Sequence, residues 1–235
     1  MSAPLGRGTG EEAVIEIRSL VRGLGLVILA LAVADVVTHG IRETGHDHAM
    51  GLIRLFDISE EQNVPTYFTA LLWIWTGMAM LTLATFRSTG RVRIGLSALS
   101  LVCGYLAFDE LFQVHEAWHT VGVRLSIVFF GMAPYFAWII VGGILALGTG
   151  LLSLTIFWQL DRTFRRRLVV AGAVFVASAL GIEGIESVWT PTHGFAGLYQ
   201  VMVLVEECLE MTGVLLAFRA CLLELERTEF RIRLR

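Results

Sequence analysis

The sequence contains no lysine, and all 18 of its basic residues are arginine. We attribute this bias to genomic composition and give it no functional weight. The net charge of −3 offers no positive excess, so no nucleic-acid partner is expected. The three cysteines (Cys103, Cys208 and Cys221) lie in apolar stretches without paired spacing, which argues against a disulfide framework.

Long segments of the chain have no charged residue. Hydrophobic residues make up 55% of the sequence, and the mean hydropathy is +0.70. Segments 24–34 and 125–160 contain no Asp, Glu or Arg. About 20 apolar residues cross a bilayer as a helix, and a helix satisfies its own backbone hydrogen bonds there. This composition excludes an ordinary soluble domain and predicts a multi-pass, all-α membrane protein whose first partner is the lipid bilayer.

We predict a polytopic bundle of six transmembrane helices that forms a single domain over residues 1–235. The expected spans are 20–39, 64–86, 94–114, 123–147, 168–189 and 197–222. The apolar stretch 151–160 is too short to cross alone, so the fourth helix is expected to be long, tilted or broken near 148–150. The tails 1–17 and 223–235 lie outside the spans, and the first span is expected to remain as a signal anchor.

The arginines fall mainly on one side of this topology. Fifteen lie in the tails and in the second and fourth connections, against only Arg42, Arg54 and Arg124 on the other side. Basic connections stay in the cytoplasm, so both termini are predicted to be cytoplasmic in a cell membrane, with a bacterial inner membrane favoured. All six histidines then lie at the outer side: His39, His46, His48, His115, His119 and His193.

The polar end of the third span is the main candidate site. Asp109, Gln113, Glu116 and His119 recur at helical spacing and would share one face if the helix continued that far. At about 1.5 Å per residue, acids of the fifth and sixth spans reach a similar depth. The predicted metal ligands are Asp109, Glu110, His115, Glu116, His119, Glu183, Glu186, Glu206, Glu207 and Glu210.

Charge balance favours a bound cation at these residues. With Asp35, nine acidic residues lie in or beside the outer half of the membrane, and only Arg124 is nearby. A carboxylate in a low-dielectric site must be protonated, paired or bound to a metal. Because intramembrane acids are costly, a functional role is expected. The predicted cofactor is a divalent metal ion, with zinc, iron and manganese as candidates.

Two motifs suggest different metal chemistry. His115-Glu116-Ala-Trp-His119 matches the H-E-x-x-H pattern, in which two histidines hold zinc and the glutamate, here Glu116, is the catalytic base. The pairs Glu116/His119, Glu183/Glu186 and Glu207/Glu210 resemble carboxylate-bridged di-iron or di-manganese bundles in their spacing. The chain departs from that pattern because only one of the three pairs ends in histidine.

Three functions therefore remain open. The first is a membrane metalloprotein that acts on a lipid-soluble substrate, with metalloenzyme activity left undecided. The second is a proton or divalent-cation translocator, although only Ser97, Ser100 and Ser178 would line its inner path. The third is a non-catalytic subunit of a membrane complex or homo-oligomer. Whether Asp35, His39, His46 and His48 join the site is open, and Glu60 and Glu61 are interpreted as solvated surface.

Overall fold

The computed structural model describes residues 16–46, 51–86 and 90–227, and the regular elements in these ranges are all helices. They are α1 (Ile17–Glu43), α2 (Leu52–Phe56), α3 (Val64–Phe86), α4 (Gly90–Phe112), α5 (Val114–Phe130), α6 (Trp138–Phe157), α7 (Arg162–Val176), a π-helical turn (Ala177–Ile182), α8 (Glu183–His193) and α9 (Leu198–Arg227). The all-α class is confirmed.

Five helical segments are long and apolar enough to cross a membrane. They are α1, α3, α4, α6 and the continuous helix from Arg162 to His193, which joins α7, the π turn and α8. The sixth predicted span, 197–222, is helical as part of α9. It is not among the five, and its first half carries three glutamates, Glu206, Glu207 and Glu210.

The predicted fourth span, 123–147, is wrong, because two helices divide this region. Gly131 adopts φ 73°, and its backbone N–H donates to the Ile127 carbonyl, which ends α5. A left-handed glycine is a common helix terminator. The next helix begins at Trp138 and continues without interruption through residues 148–150, so the alternative of a break there does not apply.

Helices α3 and α9 form the centre of the bundle. Within the apolar window of α3, 56% of residues are buried, against 11% for α6. Leu72 and Met211 are fully buried in this core, whereas Leu101 and Val188 are 76% and 77% exposed. Exposed large apolar side chains of this kind suit contact with lipid, since a soluble protein rarely exposes so many together.

Polar caps fix where two helices begin. Asn63 precedes α3, and its side-chain oxygen accepts from the Thr66 backbone N–H at 3.1 Å. Asp161 precedes α7, accepts from the Thr163 and Phe164 backbone N–H groups, and pairs with Arg227 at 2.8 Å. The hydrogen bond from Arg227 holds the pKa of this carboxyl below its usual value. This pair ties the start of α7 to the end of α9, at the arginine-rich end of the bundle.

Two glycines allow the close helix approaches that position the site. A Cβ on Gly122 would lie 1.9 Å from the Ala137 carbonyl oxygen, and one on Gly213 would lie 2.9 Å from the Phe175 backbone nitrogen. Real Cβ atoms do not approach other atoms so closely. These glycines therefore let α5 pack against the start of α6, and α9 against α7.

Candidate metal centre

The structure brings all ten predicted ligands to the wall of one cavity of about 1300 Å³. They come from the end of α4, the start of α5, the start of α8 and the first half of α9. The predicted convergence of the third, fifth and sixth spans is therefore present in the fold. The role of these residues as ligands stays a prediction.

The helix carrying the first acids does not continue as expected. Gln113 adopts φ 54° and separates α4 from α5, so residues 109–119 do not share one helical face. Asp109 stabilises this break, because its Oδ1 accepts from the His115 backbone N–H at 2.6 Å. A non-glycine residue in left-handed conformation is uncommon and tends to occur at functional sites.

The break makes His115 a central residue of the cluster. Its Nδ1 lies 3.4 Å from Oδ2 of Asp109, and its Nε2 lies 3.3 Å from Oε1 of Glu61. Glu61 lines the cavity as well, so its interpretation as solvated surface is wrong. Glu61 lies just before the predicted span 64–86, at the membrane side where the other acids were also predicted, and this position could have identified it.

The zinc-type motif is only partly built into this geometry. Nδ1 of His119 accepts a hydrogen bond from the Ala137 backbone N–H at 3.3 Å. A neutral histidine that accepts at Nδ1 carries its proton on Nε2, so His119 has no free lone pair for a metal. Glu116 is exposed at the cavity rim. The arrangement does not show a second histidine ligand beside an activated glutamate.

The acids of α8 come directly after the π turn. A π turn holds one more residue than an α turn, which rotates the subsequent helix by about 100°. Glu183 accepts a hydrogen bond from the Trp138 indole N–H, which anchors α8 to the start of α6. Glu186 is only 3% exposed and approaches Glu206, which is 5% exposed.

Two buried carboxylate oxygens in the cavity lack a hydrogen bond within the described part of the chain. They are Oε1 of Glu186 and Oε2 of Glu61. A buried carboxylate oxygen without a donor is unfavourable, because it has lost its water without replacement. Both atoms therefore provide open positions for a cation.

Glu207 connects the cluster across the cavity. It interacts electrostatically with carboxylates from α3's entry, α4, α8 and its own helix: Glu61, Glu110, Glu183, Glu186, Glu206 and Glu210. In the described ranges, ten acidic residues line the cavity with His115 and His119, and the lining arginine is Arg165, far along α7. The lining arginine therefore does not offset the formal negative charge at the acidic end, which protons or bound cations must balance.

A second group of candidate ligands lies outside this cavity, between α1 and the entry of α3. Asp35, His39 and Asp57 could hold a metal ion, since one ligand atom from each lies within 4.8 Å of the others. No other group of three among residues 16–46, 51–86 and 90–227 is as tight. The sequence did not decide whether Asp35 and His39 belong to the main site. In the structure they lie together with Asp57 and do not line the cavity.

Protein donors already occupy most of this second group. Oδ1 of Asp35 accepts from the Ile58 backbone N–H at 2.8 Å. One oxygen of Asp57 accepts from Ser59, and the other has no hydrogen-bond donor but forms an ion pair with the Arg42 guanidinium at 2.9 Å. The group is thus nearly balanced in charge, and it fastens α1 to the segment before α3.

Two of the remaining histidines, His46 and His193, belong to neither group. His46 contacts the Thr44 hydroxyl at 3.0 Å, and the His193 ring stacks on Trp189 with centroids 3.7 Å apart. His48 lies outside the described residues.

Comparison with known families matches a model described as "Domain of unknown function (DUF8692)" over residues 23–225. The chain belongs to the DUF8692 family. The comparisons found no curated protein and no solved structure similar to it. The region shared with DUF8692 includes every residue of both candidate groups, so the cavity lies wholly within the family's domain.

Proposed function

We propose that this DUF8692 protein is an integral membrane metalloprotein that binds one or more divalent cations in the acidic end of its cavity. The observation that carries the proposal is the ten-residue acidic lining, with open carboxylate oxygens on Glu61 and Glu186. A divalent cation would offset this charge and supply partners for those oxygens. Carboxylates and a histidine suit zinc, manganese and iron.

Charge balance favours the cavity over the group of Asp35, His39 and Asp57. That smaller group is tighter, but Arg42 and backbone donors already compensate its carboxylates. The cavity carboxylates stand farther apart, and Oε2 of Glu61 and Oε1 of Glu186 have no donor, so a bound ion would draw their oxygens inward.

Within the cavity, the proposed ligands centre on His115 and the carboxylates that interact with it. These are Glu61, Asp109, Glu110, Glu183, Glu207 and Glu210. Glu186, with its open oxygen, completes the set as a neighbour of Glu183 and Glu207. This arrangement is closer to a carboxylate-rich site than to the H-E-x-x-H pattern. Glu116, the predicted catalytic base, would remain at the rim, where it could meet a substrate but not the enclosed ion.

The topology completes the proposal. With α9 as a sixth span, the arginine-rich ends of the helices face the cytoplasm and the acidic end faces outward, by the positive-inside rule. The cavity continues from the acids into an apolar region lined by residues such as Leu106 and Phe175. We therefore propose a lipid-soluble molecule as the partner of the metal site.

The structure gives less support to a cation translocator. A conducting path would need polar groups from the acidic end to the arginine-rich end. The hydroxyl of Ser178 donates to carbonyls of its own helix, and Ser97 and Ser100 do not line the cavity. Thr149 and Ser153 are isolated hydroxyls in an otherwise apolar wall.

Elemental analysis of the purified protein in mild detergent tests the proposal. We expect zinc, manganese or iron in stoichiometric amount, reduced several-fold in His115→Ala and in Glu186→Gln. The matched control is Glu226→Gln, an exposed residue at the far end of α9, which should retain full metal content. Wild-type protein without bound metal after incubation with each ion would refute the proposal.

A further inference from the structure

The cavity extends far beyond the acidic cluster. Along the helix that joins α7 and α8, its lining residues run from Arg165 to Glu186. At about 1.5 Å per residue this is roughly 30 Å, close to the thickness of a bilayer's hydrocarbon core. The cavity volume of about 1300 Å³ exceeds the range of about 300–1,000 Å³ typical of small-molecule sites. Its shape suits a long, thin occupant.

The wall of the long section is largely apolar and mixes large and small side chains. Helices α4 and α7 contribute large side chains such as Leu99 and Leu168, while α6 contributes Gly142, Ala146 and Gly150. Cavities lined in this way stay free of water unless polar groups can hold it. This section therefore suits a hydrocarbon chain.

The end opposite the acids carries a cation. Arg165 lines the cavity, and its guanidinium lies 4.7 Å from the Phe157 ring centroid and 5.0 Å from that of Trp158. One of its nitrogens donates to the Phe157 carbonyl at 3.3 Å. No carboxylate lies within salt-bridge distance of Arg165 in the described part of the chain. Its remaining donors can hold an anionic headgroup.

We infer that the cavity binds a long-chain anionic amphiphile, with its headgroup on Arg165 and its hydrocarbon chain reaching toward the acidic cluster. The orientation follows from charge, because ten acidic residues would repel an anionic headgroup at the other end. The inference rests on the proposed function, because it names the chemical class of the lipid-soluble molecule that would lie beside the metal site. A free fatty acid and a membrane phospholipid share this chemistry.

Binding to purified protein in mild detergent tests the inference, with three probes compared. They are palmitate, its uncharged analogue hexadecanol, and phosphatidylglycerol, each measured by native mass spectrometry. We expect one of the two anionic probes to bind at least about tenfold more tightly than hexadecanol, since a charge-assisted hydrogen bond is lost with the alcohol. The anion that binds identifies the source of the lipid.

Two variants locate the binding site, each with a matched control. Arg165→Gln should weaken binding of the anionic probe about tenfold, and Arg165→Lys should restore part of it; Arg166→Gln, at the exposed neighbour, should change nothing. Gly172→Leu fills the cavity, because Gly172 lines it and an added Cβ meets nothing within 4 Å. Gly148→Leu adds the same side chain on the exposed face of α6, outside the cavity lining.

The outcomes separate this inference from the metal proposal. Equal binding of palmitate, phosphatidylglycerol and hexadecanol, or unchanged binding in both Arg165→Gln and Gly172→Leu, would overturn the inference. Metal content is measured on the same samples and should be unchanged in both variants. Lipid binding in a protein that takes up no metal would refute the proposed function and leave the lipid site standing.

Discussion

Glu207→Gln is expected to stabilise the metal-free protein and to destabilise the metal-loaded one. The substitution keeps the shape of the side chain but removes one charge from the centre of the acidic cluster, where Glu207 faces six other carboxylates. One pair of like charges in contact costs up to about 4 kcal/mol at an effective dielectric constant near 20. Proton uptake relieves part of this repulsion, so we expect a gain of about 1 kcal/mol without metal.

Bound metal should make the wild type more stable than Glu207→Gln, the reverse of the order expected without metal. A ligand present at about a hundred times its dissociation constant stabilises the folded state by about 2.7 kcal/mol. If Glu207 is a ligand and its loss weakens affinity about hundredfold, the variant forfeits nearly all of this stabilisation. The variant should then lie about 1–2 kcal/mol below the wild type in saturating metal, despite its advantage in chelator.

Thermal unfolding in mild detergent, followed by tryptophan fluorescence with chelator and with added metal, measures both conditions. The control is Glu226→Gln, which changes an exposed glutamate on the same helix and should behave like the wild type in each. The reasoning fails if Glu207→Gln is less stable than the wild type in chelator and shows the same metal-induced shift. That result would make Glu207 a structural residue.

Three further substitutions test the scaffold. Gly122→Ala should cost at least about 1–3 kcal/mol in thermal unfolding, because its Cβ would lie 1.9 Å from a backbone oxygen, whereas Gly104→Ala meets nothing within 4 Å. Asp161→Asn should lower the unfolding midpoint at neutral pH. Because the pKa of Asp161 is lowered in the folded protein, its carboxylate stabilises the fold fully above the usual pKa of 3.8. This stabilisation is lost as pH falls through the lowered folded pKa, so the difference between variant and wild type should vanish in acid, and a constant difference would contradict this. Asp57→Asn should cost about 1–3 kcal/mol through its lost ion pair without changing metal content. Loss of metal would assign an ion to that group.

The helical and membrane character of the chain could be predicted from hydropathy, because spans such as 64–86 are apolar throughout. The fourth span could not be predicted, because the apolar sequence continues from α5 into α6 although the chain leaves one helix and starts another. Hydropathy measures transfer to lipid and is insensitive to where a helix ends. Gly131 marks that end, but Gly142 and Gly143 in the same apolar run lie inside α6, so a glycine alone does not show where the helix stops.

The clustering of the acidic residues could also be predicted, from their charge and from the similar membrane depth that helix rise gives them. Their local arrangement could not, because it depends on the left-handed backbone of Gln113 and on the π turn before Glu183. Helical spacing assumes regular geometry, and both irregularities rotate the residues that come after them. Glu61 was missed for a related reason: it lies in a connection, where an acid is ordinarily solvated.

Asp109 links the chemistry of the cavity to the course of the backbone. The same carboxylate caps the first turn of α5 and contacts the imidazole of His115. A cation that binds Asp109 would compete with the hydrogen bond from this carboxylate to the His115 backbone N–H. Metal binding and the backbone bend at Gln113 therefore depend on the same side chain. Occupancy of the site should therefore influence the position of α5, whose first turns line the cavity.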